Sequence, residues 1–593
     1  MPQGWADHAY FYASLKKTIP RDRIKNSKFP KLRGATMGYF TAIKNKILEF
    51  ENRKDKKAEI ITLFVFAAAL VIISTFHEPW FDEAQSWMIA RDASYADMFF
   101  TLPHYEGHPP LWWLILSVPA KAGVPYEIGL KTVGIVISIA SAALLLFKTK
   151  LPRLARICIP FTYFFFYQYG VIVRPYCLML FAFILLSVVF EDKDEHPWKM
   201  VLCLMLICCT SAYGIVIAGG VSVAWCLDIL KGKTSILKDR RFFPLLSLAL
   251  FAACLIVLIL PYGDTYSQTA EPAEPRGVYL IVTIFTFLGE NLVISSPWFR
   301  FAPQLLQEAT ISLGYLIPVI LLNLILWIIV ICYSSKRNLK YLLIPYLFFT
   351  VFSTFVYFNS HHMGITGMIL LFWLCVNTRS SEKWECGNAI LKHLQNREKI
   401  KNVFLKCARL ACCASLVIPI FWTMVSAAKE IYYPYDEKRE IAEFLKENNL
   451  ENLSVATEWR DYKNKTGEDR WESMNTSVNG LPALLAYFDE NFVYNFNNGD
   501  PDKGYTLHRA TSSAENKNTV NLWAKHEAPD ILIGEPDVNL LTGGKATLDD
   551  YSPVCYAETH VIWKGRNYNN GGMFVYARNE IVEEYGLKII EKE

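Results

Sequence analysis

The sequence predicts a polytopic α-helical membrane protein of about eleven spans, closed by a small α/β domain outside the membrane. Three observations predict it. Of the 593 residues, 52% are hydrophobic and 20% charged, with a mean hydropathy of +0.20, more apolar than a soluble chain usually is. Apolar runs near twenty residues recur, the length an α-helix needs to cross a hydrocarbon core. Lysine and arginine gather in alternate loops, as they do where loops stay in the cytoplasm.

Taken in order, residues 1–57 are polar and basic, with 14 Lys/Arg. The first apolar run comes too late for a cleavable signal peptide. Clear spans are expected at 58–76, 127–147, 155–172, 244–261, 308–332, 339–358 and 404–427, and shorter ones at 175–190, 200–213, 214–230 and 363–378. Segments 109–122 and 278–296 are short or interrupted. With the N-terminus in the cytoplasm, the loops "KTKLPRLAR", "EDKDEHPWK", "KGKTSILKDRR", "YSSKRNLK" and 379–403 fall on that side, and all but the second are visibly basic. The opposite loops carry only scattered positives, among them Lys121 and Arg174. The alternation holds only if 109–122 does not cross. That segment is then a helix on the outer surface, with Pro109 and Pro110 suited to its first turn.

An odd number of spans puts the C-terminus outside. Residues 428–593 form a polar region in which "DEKREIAEFLKENN" has helical amphipathicity, and "DILIGEP", "SPVCYAETHVIW" and "GGMFVYAR" have strand character. The domains expected are a basic cytoplasmic segment 1–57, a transmembrane module 58–427 with its first outer loop at 77–126, and an extracytoplasmic α/β domain 428–593. The 14 cysteines show no metal-ligand spacing and sit mostly in apolar runs, where they act as small fillers. A net charge of +4 says little about partners, and no nucleic acid is expected among them.

The first outer loop gathers Asp82, Glu83, His104, Glu106 and His108. Around them Ala84, Trp87, Met88, Tyr95, Met98 and Phe99 recur at helical spacing, which predicts an interfacial helix with its apolar side in the lipid. A carboxylate beside a low-dielectric surface gains proton affinity unless it is paired, and can then take a proton from an incoming hydroxyl or amine. Asp82 has a second reading as the N-cap of that helix, and His108 one as a hydrogen-bonded corner before two prolines. Arg174 lies between two apolar runs. Its planar fork suits a phosphate, or it snorkels to ordinary headgroups. His361 and His362 fall on another outer loop, either beside the same anion or as a plain loop pair. Together these residues suggest a base for an acceptor and a cationic cradle for a lipid phosphate. That is the chemistry of sugar transfer from a polyprenyl phosphate, in which the arginine stabilises charge on the leaving phosphate. No Gly-rich phosphate loop is present, and "GKATLDD" is only superficially like one.

"DEAQSWMIARD", "HYEGHPPLWWLIL" and "VRPYCLML" resemble the GT-C type membrane glycosyltransferases, especially the dolichyl-phosphate-mannose–protein mannosyltransferases and the bacterial aminoarabinose transferases. The similarity covers roughly 58–190, with a weaker echo at "HHMG". It implies Asp82 as catalytic base, Glu83 as its neighbour in substrate positioning, and Glu106 as a second acid where the mannosyltransferases carry Asp. His108 would line the site, with His104, His361 and His362 as further substrate-binding candidates, and Arg174 would bind the lipid phosphate. It also implies outer juxtamembrane helices at 84–101 and 109–122, a single displacement with inversion, and a bacterial plasma membrane. The donor would be a polyprenyl-phosphate sugar and the acceptor a glycan, lipid or protein. No cofactor and no essential metal is expected, although two acids and two histidines lie close enough in sequence to bind a cation.

A transporter or flippase is the rival from another class, but the predicted spans hold few ionisable residues and show no repeats. A non-catalytic assembly factor using the C-terminal domain is a third reading.

Overall fold

A computed structural model describes residues 45–231, 239–265, 276–295, 313–392, 398–458, 470–471, 480–509 and 511–591. Residues 1–44 lie outside the described residues. Of the N-terminal unit, Met1–Lys56, residues 45–52 form a helix, with Arg53 Nη2 3.1 Å from Glu49 Oε1. Residues 57–593 form the second unit.

The second unit is mostly helical, with a small C-terminal sheet. Its longer helices are α1 (Lys57–Phe76), α2 (Phe81–Asp92), α3 (Leu111–Lys121), α4 (Tyr126–Lys148), α5 (Tyr176–Val189), α6 (Pro197–Cys208), α7 (Ala212–Lys231) and α8 (Phe242–Ile259). There follow α9 (Arg276–Leu292), α10 (Leu313–Tyr333), α11 (Lys340–Phe355), α12 (Gly364–Arg379), α13 (Glu398–Tyr432), α14 (Lys438–Glu447) and α15 (Ser513–Trp523). Five helices among the described residues are long and apolar enough to cross a membrane: α1, α4, α7, α8 and the 402–432 stretch of α13. The run 155–172, expected as one span, is broken. It holds a short helix at Arg153–Cys158, a 3₁₀ turn at Ile159–Phe161 and a π-helix at Phe164–Val171.

The bundle has two polar ends. At one, Glu59 of α1 meets Arg153 Nη2 at 2.6 Å, Asp194 meets Arg241 Nη1 at 2.6 Å, Tyr341 donates to Asp228 at 2.6 Å, and Arg379 Nη2 donates to the Lys148 carbonyl at 3.2 Å. At the other, His77 follows α1 and bonds Glu430 near the end of α13 at 2.7 Å. Glu127 at the start of α4 binds Arg439 Nε at 2.8 Å, and Tyr213 at the start of α7 donates to the Tyr357 carbonyl at 2.5 Å. Asn291 near the end of α9 donates to the Met363 carbonyl at 3.3 Å. Both ends of α3 lie at this second end. Lys121 Nζ donates to the carbonyls of Arg91 and Ala93 at 3.0 and 2.9 Å. Eleven residues span roughly 16 Å at 1.5 Å per residue, about half a hydrocarbon core.

The C-terminal region covers the second end. Strands β1 (Val455–Thr457), β2 (Ile531–Ile533), β3 (Tyr551–Trp563) and β4 (Arg566–Arg578) form a sheet in the order β1-β2-β4-β3, in which β1 and β2 are parallel and the other pairs antiparallel. Ile441 and Leu445 of α14 pack with Ile531, Ile533 and Val575 of the sheet and with Trp87, Met88, Trp112 and Leu116 in one core. This reverses the expectation for the first loop. Ala84, Trp87, Met88 and Met98 are buried in protein, not laid on lipid, and only Tyr95 and Phe99 of that stripe are exposed. The reason is a cover. The helix Leu481–Leu485 packs on α2, and the chain at Gly504 passes so close that a Cβ there would sit 2.0 Å from Met88 Cε. The expected 84–101 helix is also two, α2 and Tyr95–Phe100. They are separated at Ser94, whose Oγ accepts from Asp97 N at 3.0 Å as an N-cap.

The β3–β4 hairpin anchors the sheet to the bundle. Trp563 pairs with Arg566 across a two-residue turn in which Lys564 (φ 46°) and Gly565 (φ 76°) are both left-handed, as a type I′ turn requires. The Lys564 ammonium is buried 3.0 Å from Glu290 Oε2 and also donates to the Ile294 carbonyl at 2.9 Å. Replacing one member of such a pair strands the other's charge, at a cost of about 3–5 kcal/mol. Lys564→Met should therefore lower the melting temperature in detergent, and the double variant Lys564→Met/Glu290→Gln should recover most of the loss. A double variant no more stable than the single one would contradict this.

Candidate functional site

The site grows from the start of α2. Trp80 holds the chain extended, and Glu83, at the third helical position, accepts from Trp80 N at 3.3 Å, the glutamate half of a capping box. Asp82 sits one residue earlier, in the first turn, where the helix dipole favours a carboxylate. Its Oδ2 lies 2.8 Å from Arg174 Nη1. Arg174 follows the π-helix Phe164–Val171 and precedes α5. Such π segments are rare and concentrate at functional positions.

Three contacts fix Arg174. Its Nη1 also reaches His361 Nε2 at 2.7 Å, and its guanidinium lies 5.6 Å from the Trp80 ring centroid and 5.3 Å from that of Tyr176. The preceding amide, Val173 N, donates to Glu83 Oε1 at 2.5 Å. Because Arg174 can only donate, His361 Nε2 accepts and that imidazole is neutral. Burial, the adjacent His362 and the Arg174 cation all push its pKa well below the usual histidine value. His362 is likewise pushed down by burial and by Arg174, and its Nδ1 accepts from Asn359 N at 2.9 Å.

His108 joins this group. Burial and then Arg174 push its pKa down to about 4, against the opposing pull of Glu106 and Asp82. Among the described residues, its Nδ1 is buried with no hydrogen-bond partner, and so are Trp80 Nε1 and Tyr176 Oη. Buried polar atoms are normally paired. All three belong to residues grouped about the Arg174 guanidinium. Glu106 Oε1 accepts from Gln85 Nε2 and from His508 Nδ1, each at 2.9 Å. Burial alone would raise the Glu106 pKa, but the facing His508 and these bonds outweigh it and hold the carboxyl below the usual range.

The structure thus brings Asp82, Arg174, His361 and His108 together, with Glu106 and His362 at the edges. It turns Glu83 inward. That side chain is fully buried and bonds Val173 N, Trp80 N and His77 Nε2, the last at 2.9 Å. Glu83 therefore supports Arg174 and does not face a substrate. His104 is committed elsewhere. Its Nδ1 is 2.6 Å from the Leu260 carbonyl and its ring stacks on Tyr262 at 4.1 Å, tying the first loop to the end of α8.

Sequence reasoning overlooked His77 and Glu430, which are 353 residues apart and share no local pattern. It overlooked Gln85 and His508 for the same reason. Trp80 and Tyr176 were within reach, since each lies two residues from Asp82 or Arg174. Among the described residues, no group of three or more His, Cys, Asp or Glu is arranged to hold a metal ion.

Chemically, the arrangement offers an anion a guanidinium, an indole N–H and a phenol O–H. It offers an incoming nucleophile a carboxylate on the same guanidinium. No protein-family profile matches the chain, and no curated protein matches it.

The support beneath the site titrates. Burial alone would lower the His77 pKa, but Glu83 and Glu430 outweigh it and raise it to about 10. A folded-state pKa above the unfolded value of about 6.5 contributes stability that is complete below pH 6.5 and is lost as pH rises through 10. His77→Gln should melt lower than wild type at pH 6, and the gap should close toward pH 10. Equal melting temperatures at pH 6 would show that the Glu83–His77–Glu430 chain supports nothing.

Proposed function

We propose that this chain is a membrane glycosyltransferase that moves a sugar from a polyprenyl-phosphate donor to an acceptor. The observation that carries the reading is the contact of Asp82 with Arg174 inside a shell of neutral imidazoles and unpaired donors. A carboxylate and a guanidinium need no such shell to neutralise each other. A phosphate does, because its oxygens take several hydrogen bonds at once.

In this mechanism the lipid phosphate takes Arg174 away from Asp82, with Trp80 Nε1–H and Tyr176 O–H donating to its remaining oxygens. Asp82, released from its ion pair, is free to take a proton. The acceptor oxygen or nitrogen attacks the anomeric carbon from the face opposite the phosphate, and its proton passes to Asp82. The bond from that carbon to the phosphate oxygen breaks, its electron pair goes to the phosphate, and Arg174 stabilises the charge. One displacement inverts the sugar carbon. The resemblance of the Asp82–Glu83, His108–Pro109–Pro110 and Arg174 segments to GT-C enzymes supports the same assignment, with a fold of that type and about eleven spans.

Charge supports an orientation. Arg153, Arg156, Arg241, Lys340 and Arg379 cluster at the end away from the site, which by the positive-inside rule is cytoplasmic. The site and the C-terminal region then face the outside, where no nucleotide sugar is available and a lipid-linked donor is needed. The resemblance points to a bacterial plasma membrane.

Cells whose only copy is Asp82→Asn should accumulate a polyprenyl-phosphate-linked sugar as a null strain does, while the purified variant still binds polyprenyl phosphate. Arg174→Lys should lose at least tenfold in that binding, because a lysine neither forks nor stacks. A normal lipid-linked sugar pool in the Asp82→Asn strain would overturn the assignment.

A further inference from the structure

The segment 504–509 belongs to the C-terminal region, yet side chains of the first loop bond its backbone. Gly504 N donates to Asp92 Oδ2 at 2.9 Å. The Gln85 amide makes two bonds to one residue: Thr506 N donates to Gln85 Oε1 at 2.8 Å, and Gln85 Nε2 donates to the Thr506 carbonyl at 2.7 Å. Arg509 Nε lies 2.9 Å from Asp264 Oδ2, which places the far end of the segment on the loop after α8. Between these anchors, His508 is set edge-on to Phe81, with ring centroids 6.1 Å apart, and its Nδ1 meets Glu106 Oε1 at 2.9 Å.

Gln85 lies one helical turn after Asp82, so the two share a face of α2. Among the described residues, Gln85 and His508 bond Glu106, and both bonds fall on Oε1. The two donors hold Oε1 in place and leave Oε2 without a hydrogen bond among the described residues. His108 feels Arg174, Glu106 and Asp82, so Glu106 stands at the edge of that group.

We propose that His508 is a positioning residue: with Gln85 it clamps Glu106 so that Oε2 accepts a hydrogen bond from the acceptor and holds the acceptor's nucleophilic O–H or N–H toward Asp82. This rests on the glycosyl-transfer reading and adds that the C-terminal region supplies the acceptor wall of the site. His508 takes no proton from the acceptor. Bond making, bond breaking and the proton's transfer to Asp82 are as given above. A base role for His508 would need its Nε2; the clamp needs only the Nδ1 donor, which the side-chain amide of Asn can replace.

The test uses full-length protein and two readouts, the polyprenyl-phosphate-linked sugar pool in cells and the affinity of the purified protein for polyprenyl phosphate. His508→Ala should raise the pool to at least half the null level, with the affinity within twofold of wild type and the melting temperature within a few degrees. His508→Asn should return the pool most of the way to wild type, and Glu106→Gln should behave as His508→Ala. A His508→Ala strain with a normal pool, beside an Asp82→Asn strain with a raised one, would overturn the clamp and leave the transfer reading standing. A raised pool in His508→Asn would also overturn it. Loss of polyprenyl phosphate affinity or of folding in both His508 variants would do the same, by placing His508 in general support. A normal pool in Asp82→Asn removes the transfer reading itself.

Discussion

Everything at the site depends on where the Arg174 guanidinium is held. A cation in a half-buried site needs a partner, and Asp82 supplies one at 2.8 Å. That pair alone would not fix a position, since an arginine side chain has several rotatable bonds. Position comes from beneath. Glu83 takes the amide of Val173, His77 takes Glu83, and Glu430 takes His77. The chain runs from the start of α2 to the end of α13 with all three side chains buried. Buried ion pairs of this kind contribute little net stability over apolar packing, yet breaking one is costly. Their effect here is to leave Arg174 a single place to be.

The Glu83–His77–Glu430 chain also separates two neighbouring acids into different tasks. Asp82 and Glu83 are adjacent in sequence, but successive positions on a helix point about 100° apart. One faces the guanidinium with part of its surface open, and the other faces the interior with each oxygen bonded. Glu106 is distinguished in a third way, by bonds to one oxygen only. Three carboxylates within a short stretch of chain thus have three environments, set by direction and partners and not by residue type.

Much of this was legible in the sequence, for physical reasons. Apolar length follows from the cost of placing backbone in hydrocarbon, so α1, α4, α8 and α13 could be read directly as long apolar helices. Strand character in "DILIGEP", "SPVCYAETHVIW" and "GGMFVYAR" was local and matched β2, β3 and β4; β1, only three residues long, left no such mark. Asp82, Arg174 and His361 were named from charge beside apolar runs, and they meet. What the sequence could not reveal was contact between distant segments. The amphipathic stripe Ala84–Met98 has the same pattern whether lipid or protein covers it, and here the cover is Leu481–Leu485 and Gly504. The break in 155–172 into a π-helix likewise left no mark in hydropathy.

The central claim is that Arg174 exchanges Asp82 for a lipid phosphate. Calorimetric titration of purified wild type and Asp82→Asn with polyprenyl phosphate tests it most directly. If the carboxylate and the phosphate compete for one guanidinium, removing the carboxylate's charge leaves Arg174 free for the lipid, and Asp82→Asn must bind more tightly than wild type. Weaker binding by Asp82→Asn, or no binding by wild type, would contradict the exchange and with it the account of the site.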